Sequence, residues 1–104
     1  MQIAIDDAGP AATVVLNGRL DITGADVVAL PLATLSGSKD TLTVDMSGVT
    51  FVASIGLRHL VAAAKAISRR GGTMIVANPS PAVLEIITTS GLGDILNVQS
   101  GGAA

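Results

Sequence analysis

Along this chain, stretches in which apolar residues recur at every second position alternate with stretches in which they recur every third or fourth, the periods of strands and helices. Residues 2–6 and 12–17 follow the first period and are separated by the turn formers Asp7, Ala8, Gly9 and Pro10, which predicts an N-terminal hairpin. The period then lengthens. Val27, Val28, Leu30, Leu32 and Leu35 predict a helix, with Thr23 as its N-cap and Asp26 completing a capping-box-like start. Pro31 falls inside this helix and implies either a kink or a second short helix beginning near the proline. Leu42, Val44 and Met46 share one face of a strand over 41–46, after which Ser47 and Gly48 are expected to turn and Val49 to Val52 to run on as an extended or loop segment.

From Ser54 the pattern is helical again. Leu57, Leu60, Val61, Ala64 and Ile67 form an apolar stripe, while Arg58, Lys65 and Arg69 share the opposite face. Arg69, Arg70, Gly71 and Gly72 end this helix, and Thr73 to Ala77 reads as a buried strand. Ser80 and Pro81 open a last helix that buries Val83, Leu84 and Ile87 and closes at Gly91; Ile95 to Val98 is expected as a final short strand or extended segment. A hairpin followed by helix, strand, helix, strand and helix predicts an α/β fold with βαβ crossovers, a mixed sheet of four to five strands and helices covering it. Ser54 then falls where a strand hands over to a helix, at the carboxyl end of the sheet, where open α/β folds place their sites.

Composition narrows the possible functions. The 104 residues predict one domain, with a core over about residues 3–98 and a flexible tail over 99–104. Hydrophobic residues make up 49% of the chain and charged residues 13%, against roughly 25% charged in an ordinary soluble domain, so disorder is not expected. A net charge of −2, a single Phe and no Trp or Tyr argue against nucleic acid as a partner. Mean hydropathy is +0.65, yet no apolar run reaches the roughly 20 residues that span a bilayer, so no direct membrane insertion is expected. The first residues, Met1 to Asp7, lack a basic region and an apolar run, which predicts a cytoplasmic protein. With no cysteine and His59 as the sole histidine, disulfides, thiolate catalysis and a multi-histidine metal site are excluded.

Little catalytic chemistry remains. His59 lies five residues beyond Ser54 on the same predicted helix, a spacing that points the two side chains apart, and no G-x-S-x-G elbow surrounds the serine. Asp21 and Asp45 lie near strand ends. Asp45 reads as a cap of local backbone N–H groups, whereas Asp21 sits in a loop with less evident structural need. The glycine pairs read as helix ends, with no phosphate-cradling motif and no cofactor pocket. The feature left over is Ser54 at a helix start. It is either an N-cap or a phosphorylation switch, since a phosphate there would meet unpaired N–H groups and the positive end of the helix dipole.

Three segments together resemble a known family: LTVDMSGVTFVASIGL over 42–57, GRLD over 18–21 and SGLGDIL over 90–96. In order and spacing, from about residue 3 to 98, the chain resembles a STAS domain of the anti-sigma factor antagonist type. The resemblance implies a STAS-like mixed sheet flanked by helices and a non-enzymatic regulator. Such a protein binds an anti-sigma factor that is also a serine kinase, and phosphorylation of a serine at a helix start switches it off. Ser54 occupies the phosphoacceptor position of the family pattern Asp-Ser-x-Gly-Leu, with Ala53 standing where the family has aspartate. Asp21 matches the acidic residue of the family's Gly-x-Leu-Asp loop. The implied partner surface comprises Asp21 and Thr23 with Ala53, Ser54, Ile55, Gly56, Leu57 and Arg58. No cofactor is implied. The alternative is a constitutive STAS subunit of a transporter or phospholipid-trafficking complex; nucleotide binding is a weaker third, lacking a P-loop and an aromatic platform.

Overall fold

The structure is a computed structural model and describes residues 1–99. Its elements in chain order are β1 (Gln2–Ala8), β2 (Ala11–Leu20), α1 (Ile22–Ser36), β3 (Thr41–Val52), α2 (Ser54–Arg69), β4 (Thr73–Ala77), α3 (Pro81–Thr89) and β5 (Val98–Gln99). The hairpin of β1 and β2 is longer than the alternation predicts. Its turn is reduced to Gly9 and Pro10 because Ala8 pairs with Ala11, and Gly9 takes the positive φ of 72° that a two-residue hairpin turn requires at its first position.

Among the described residues the sheet has five strands in the order β1-β2-β3-β4-β5, antiparallel at β1 and parallel thereafter. Because each parallel strand lies beside its predecessor, right-handed crossovers place all three helices on one face. Beneath them Val14, Leu16, Leu42, Val44, Met46 and Val76 are buried, while Thr13, Val15, Thr43, Asp45 and Ile75 on the other face are half-exposed. β4 is therefore buried on one side only, with Thr73 exposed. The core is a single cluster to which α1 gives Val28, Leu32 and Leu35, α2 gives Leu57, Leu60 and Ile67, and α3 gives Val83 and Ile87.

Several expectations are corrected. Ser47 and Gly48 do not end the strand: β3 runs on to Val52 and absorbs two bulges against β2. Each bulge adds a residue, so the buried positions step from Met46 to Val49 to Val52 rather than by twos. The carboxylate of Asp45 accepts the Ser47 N–H at 2.9 Å and holds the first bulge. Pro31 lies within one uninterrupted helix, α1. The carbonyl that it leaves unbonded belongs to Val27, an exposed position where water can serve it. Leu84 is half-buried rather than core. Asp94 to Asn97 is a turn, so the last strand is Val98–Gln99 alone; Gln99 pairs with Ala77 and thus belongs to the sheet, not to the expected tail. The rest of that tail, 100–104, lies outside the described residues.

Candidate functional site

The carboxyl ends of β2 and β3 lie side by side, with Leu20 opposite Val52. Immediately after them the chain turns into α1 and α2. The Ala53 N–H donates to the Leu20 carbonyl at 2.9 Å, so the start of α2 is tied to the start of α1. Gly56 makes this approach possible: a Cβ there would lie 2.6 Å from Leu20 Cγ and 3.0 Å from the Leu20 carbonyl oxygen. Gly56 and Leu57 are buried and shape the junction from beneath. Asp21, Ala53 and Ile55 are half-exposed, and Thr23, Ser54 and Arg58 are exposed.

The two helix starts are built differently. On α1 the cap is Asp21, not Thr23: its carboxylate accepts the Gly24 N–H at 2.9 Å, and its backbone carbonyl accepts the first helical bond, from Ala25, at 2.7 Å. Thr23 lies inside the first turn with its side chain exposed. The Gly24 N–H, together with the nearby charge of Arg19, holds the Asp21 carboxyl below its ordinary value against the opposing effect of desolvation. Asp21 therefore has a structural duty that its loop position does not advertise.

On α2 the cap position is Ala53, at φ −90° and ψ 166°, which supplies no side-chain acceptor. Ser54 is the first helical residue rather than the cap, because β3 stays extended through Val52 and the Ala53 carbonyl takes the first helical bond, from Leu57, at 3.1 Å. The Ser54 hydroxyl is exposed and makes no hydrogen bond within the described residues. The serine thus stands unbonded in the first turn of α2, at the positive end of the helix dipole. His59 is half-buried between α1 and α2 and forms no hydrogen bond with it.

Beside the junction lie two residues that sequence reasoning passed over. The Arg19 guanidinium lies 4.5 Å from the centroid of the Phe51 ring and 3.6 Å from the Asp21 carboxylate. The signal was present in the position of Phe51, the chain's only aromatic, three residues before Ser54.

With this geometry in place, comparison with known proteins gives a consistent result. Residues 3–97 match the family described as "Mlab, STAS domain", and the chain belongs to the STAS domain family. It is similar to the anti-sigma-B factor antagonist of Bacillus subtilis, 25% identical over 83 residues that cover 80% of this chain and 76% of that protein. Its structure resembles the anti-sigma factor antagonist SpoIIAA in its unphosphorylated form, with a TM-score of 0.83, 20% identity, and coverage of 96% of this chain and 88% of that one. The same fold occurs in a sulfate transporter family protein from Wolinella succinogenes, with a TM-score of 0.73, 16% identity, and coverage of 86% and 75%. Among the described residues no helix is long and apolar enough to cross a membrane.

Proposed function

We propose that this single-domain protein is a non-enzymatic anti-sigma factor antagonist. It acts in the cytoplasm by docking a serine-kinase anti-sigma factor on the junction around Asp21 and Ser54, and phosphorylation of Ser54 switches it off. The observation that carries this reading is the exposed, unbonded hydroxyl of Ser54 on the first turn of α2, beside the capped start of α1. A phosphate there adds about −1.5 to −2 charges where N–H groups and the helix dipole favour an anion, so the fold keeps its shape and the docked partner feels the change. The half-exposed Ile55 and Ala53 give the unmodified surface its apolar contact. Similarity to the Bacillus subtilis anti-sigma-B factor antagonist supports the same reading.

The test is phosphotransfer: incubation with ATP and the serine-kinase anti-sigma factor of the same cell, with the modified residue located by mass spectrometry. Phosphate on Ser54, and none on a Ser54→Ala chain, is the expected result. An unmodified wild type beside a kinase active on another substrate contradicts it.

A second reading, a constitutive STAS subunit of a transporter or phospholipid-trafficking complex, is favoured by Ala53, where the antagonist pattern has aspartate. On that reading the serine contributes a neutral contact and the partner stays bound whatever its state.

A further inference from the structure

Six side chains carry positive charge, and three of them are committed within the fold. Arg19 lies against Asp21 and Phe51, Lys39 bonds Asp7 and the Gly9 carbonyl, and Arg70 donates to the Ser36 and Lys39 carbonyls at 3.1 and 2.8 Å. The other three, Arg58, Lys65 and Arg69, make no ion pair among the described residues. All three are exposed on one crest of α2, a helix with no acidic residue along its length. Asp94 shares a shallow hollow with Lys65 and Arg69 but does not come within ion-pair distance.

Next to this crest runs a groove between α1 and α2, about 250 Å³ in volume. Its lining is mostly small, with Ala29 and Ala33 from α1 and Ala62 and Ala66 from α2, beside Leu32, Ser36 and the half-buried His59. On the α1 side stand Leu30 and Ile22, 75% and 73% exposed, the most exposed large apolar side chains in the described residues. Scattered apolar residues on a surface need no explanation, but here helical spacing sets Arg58, Lys65 and Arg69 in the row next to Ala62 and Ala66, and Leu30 in the row next to Ala33, so a third helix lying over the alanines comes within reach of both rows. Arg58 and Arg69 are about three turns apart along α2, which sets the length of a matching helix.

We propose that the α1–α2 groove docks an acidic amphipathic helix of a protein partner, seated with its apolar face on the alanines and against Leu30 and its acidic flank along Arg58, Lys65 and Arg69. A second copy of this chain does not fit: α1 offers Asp26 alone, α2 no acid and α3 Glu85 alone, so none of its helices has an acidic flank. An anionic membrane fits less well than a helix because Asp26 stands between Ile22 and Leu30 on the apolar crest, where lipid would have to accommodate a carboxylate. The proposal does not rest on Ser54, which lies at the helix starts rather than along the groove.

The test is titration of the isotope-labelled full chain with a synthetic helical peptide. The peptide carries leucines at i, i+3, i+4 and i+7 and glutamates along one flank; a control has lysine in place of each glutamate. The expected result is amide shift changes confined to α1 and α2, centred on Ala33, Ala62 and Ala66, with no binding of the control. In the Lys65→Glu/Arg69→Glu chain the affinity should fall at least about tenfold, and in a Leu30→Ser chain it should also fall, both variants melting as the wild type does. Absence of shift changes, changes centred elsewhere, or equal binding of the control overturns the proposal. So does binding of phosphatidylglycerol vesicles that the peptide cannot displace, or a dimer that Leu30→Ser dissociates.

Discussion

Asp21 does two things that pull on one side chain. It caps α1 through the Gly24 N–H, and its half-exposed side chain stands at a helix start that is tied to the start of α2 through the Ala53 N–H and the Leu20 carbonyl. Because the folded protein holds this carboxyl below its value of 3.8 in an unperturbed chain, the ionised form stabilises the fold. That contribution is fully present above the unfolded value and is lost as pH falls through the lower folded one. Asparagine also caps helices but carries no charge. Thermal melts of wild type and Asp21→Asn should therefore differ by a constant amount from pH 7 to 5, wild type being the more stable, and converge below pH 3.8. A difference that grows on acidification contradicts the assignment. Gly56 is the other residue whose identity is dictated by contact, since any side chain would have to displace Leu20, the residue through which the two helix starts are joined.

At the scale of elements, α2 begins without a side-chain cap although its cap position already has extended geometry. An acidic side chain at that position would accept from the first-turn N–H groups. Ala53→Asp should thus raise stability by about 1 kcal/mol, read as a higher Tm, with no change in fold. An unchanged or lower Tm means that these N–H groups already have other partners. The helices and strands themselves were legible because periodicity reports burial, and the helices cover one face of the sheet. The boundaries at the junction were not. Ser47 and Gly48 have turn chemistry, but two bulges keep β3 paired with β2 to Val52, and this carries Ser54 past the cap and into the helix. Thr23 and Asp21 are both good caps by composition. The choice fell to Asp21 because β2 stays in the sheet through Leu20. Such decisions are made by pairing with distant strands, which local sequence does not contain.

Over the described residues, the ladder of parallel strands gathers the helix starts at one end of the sheet and leaves the outer surface of the helices along its side. Ser54 belongs to the end; the cationic crest of α2 and the exposed Leu30 belong to the helix surface. On the proposed reading the junction carries the phosphate on Ser54, and the α1–α2 groove, lined by Ala33, Ala62 and Ala66, lies further along the helices. Identification of the family was legible from three sequence segments, whereas the groove was not, because it joins residues of α1 and α2 that only packing brings together. The central claim is that the state of Ser54 governs partner binding. It is tested most directly by a paired pull-down from the native cell, tagged wild type beside Ser54→Asp, with bound proteins quantified by mass spectrometry. Wild type should recover a serine-kinase anti-sigma factor, and the mutant should lose it. Equal recovery of a transporter or other assembly by both would contradict it and assign the protein a constitutive, structural role.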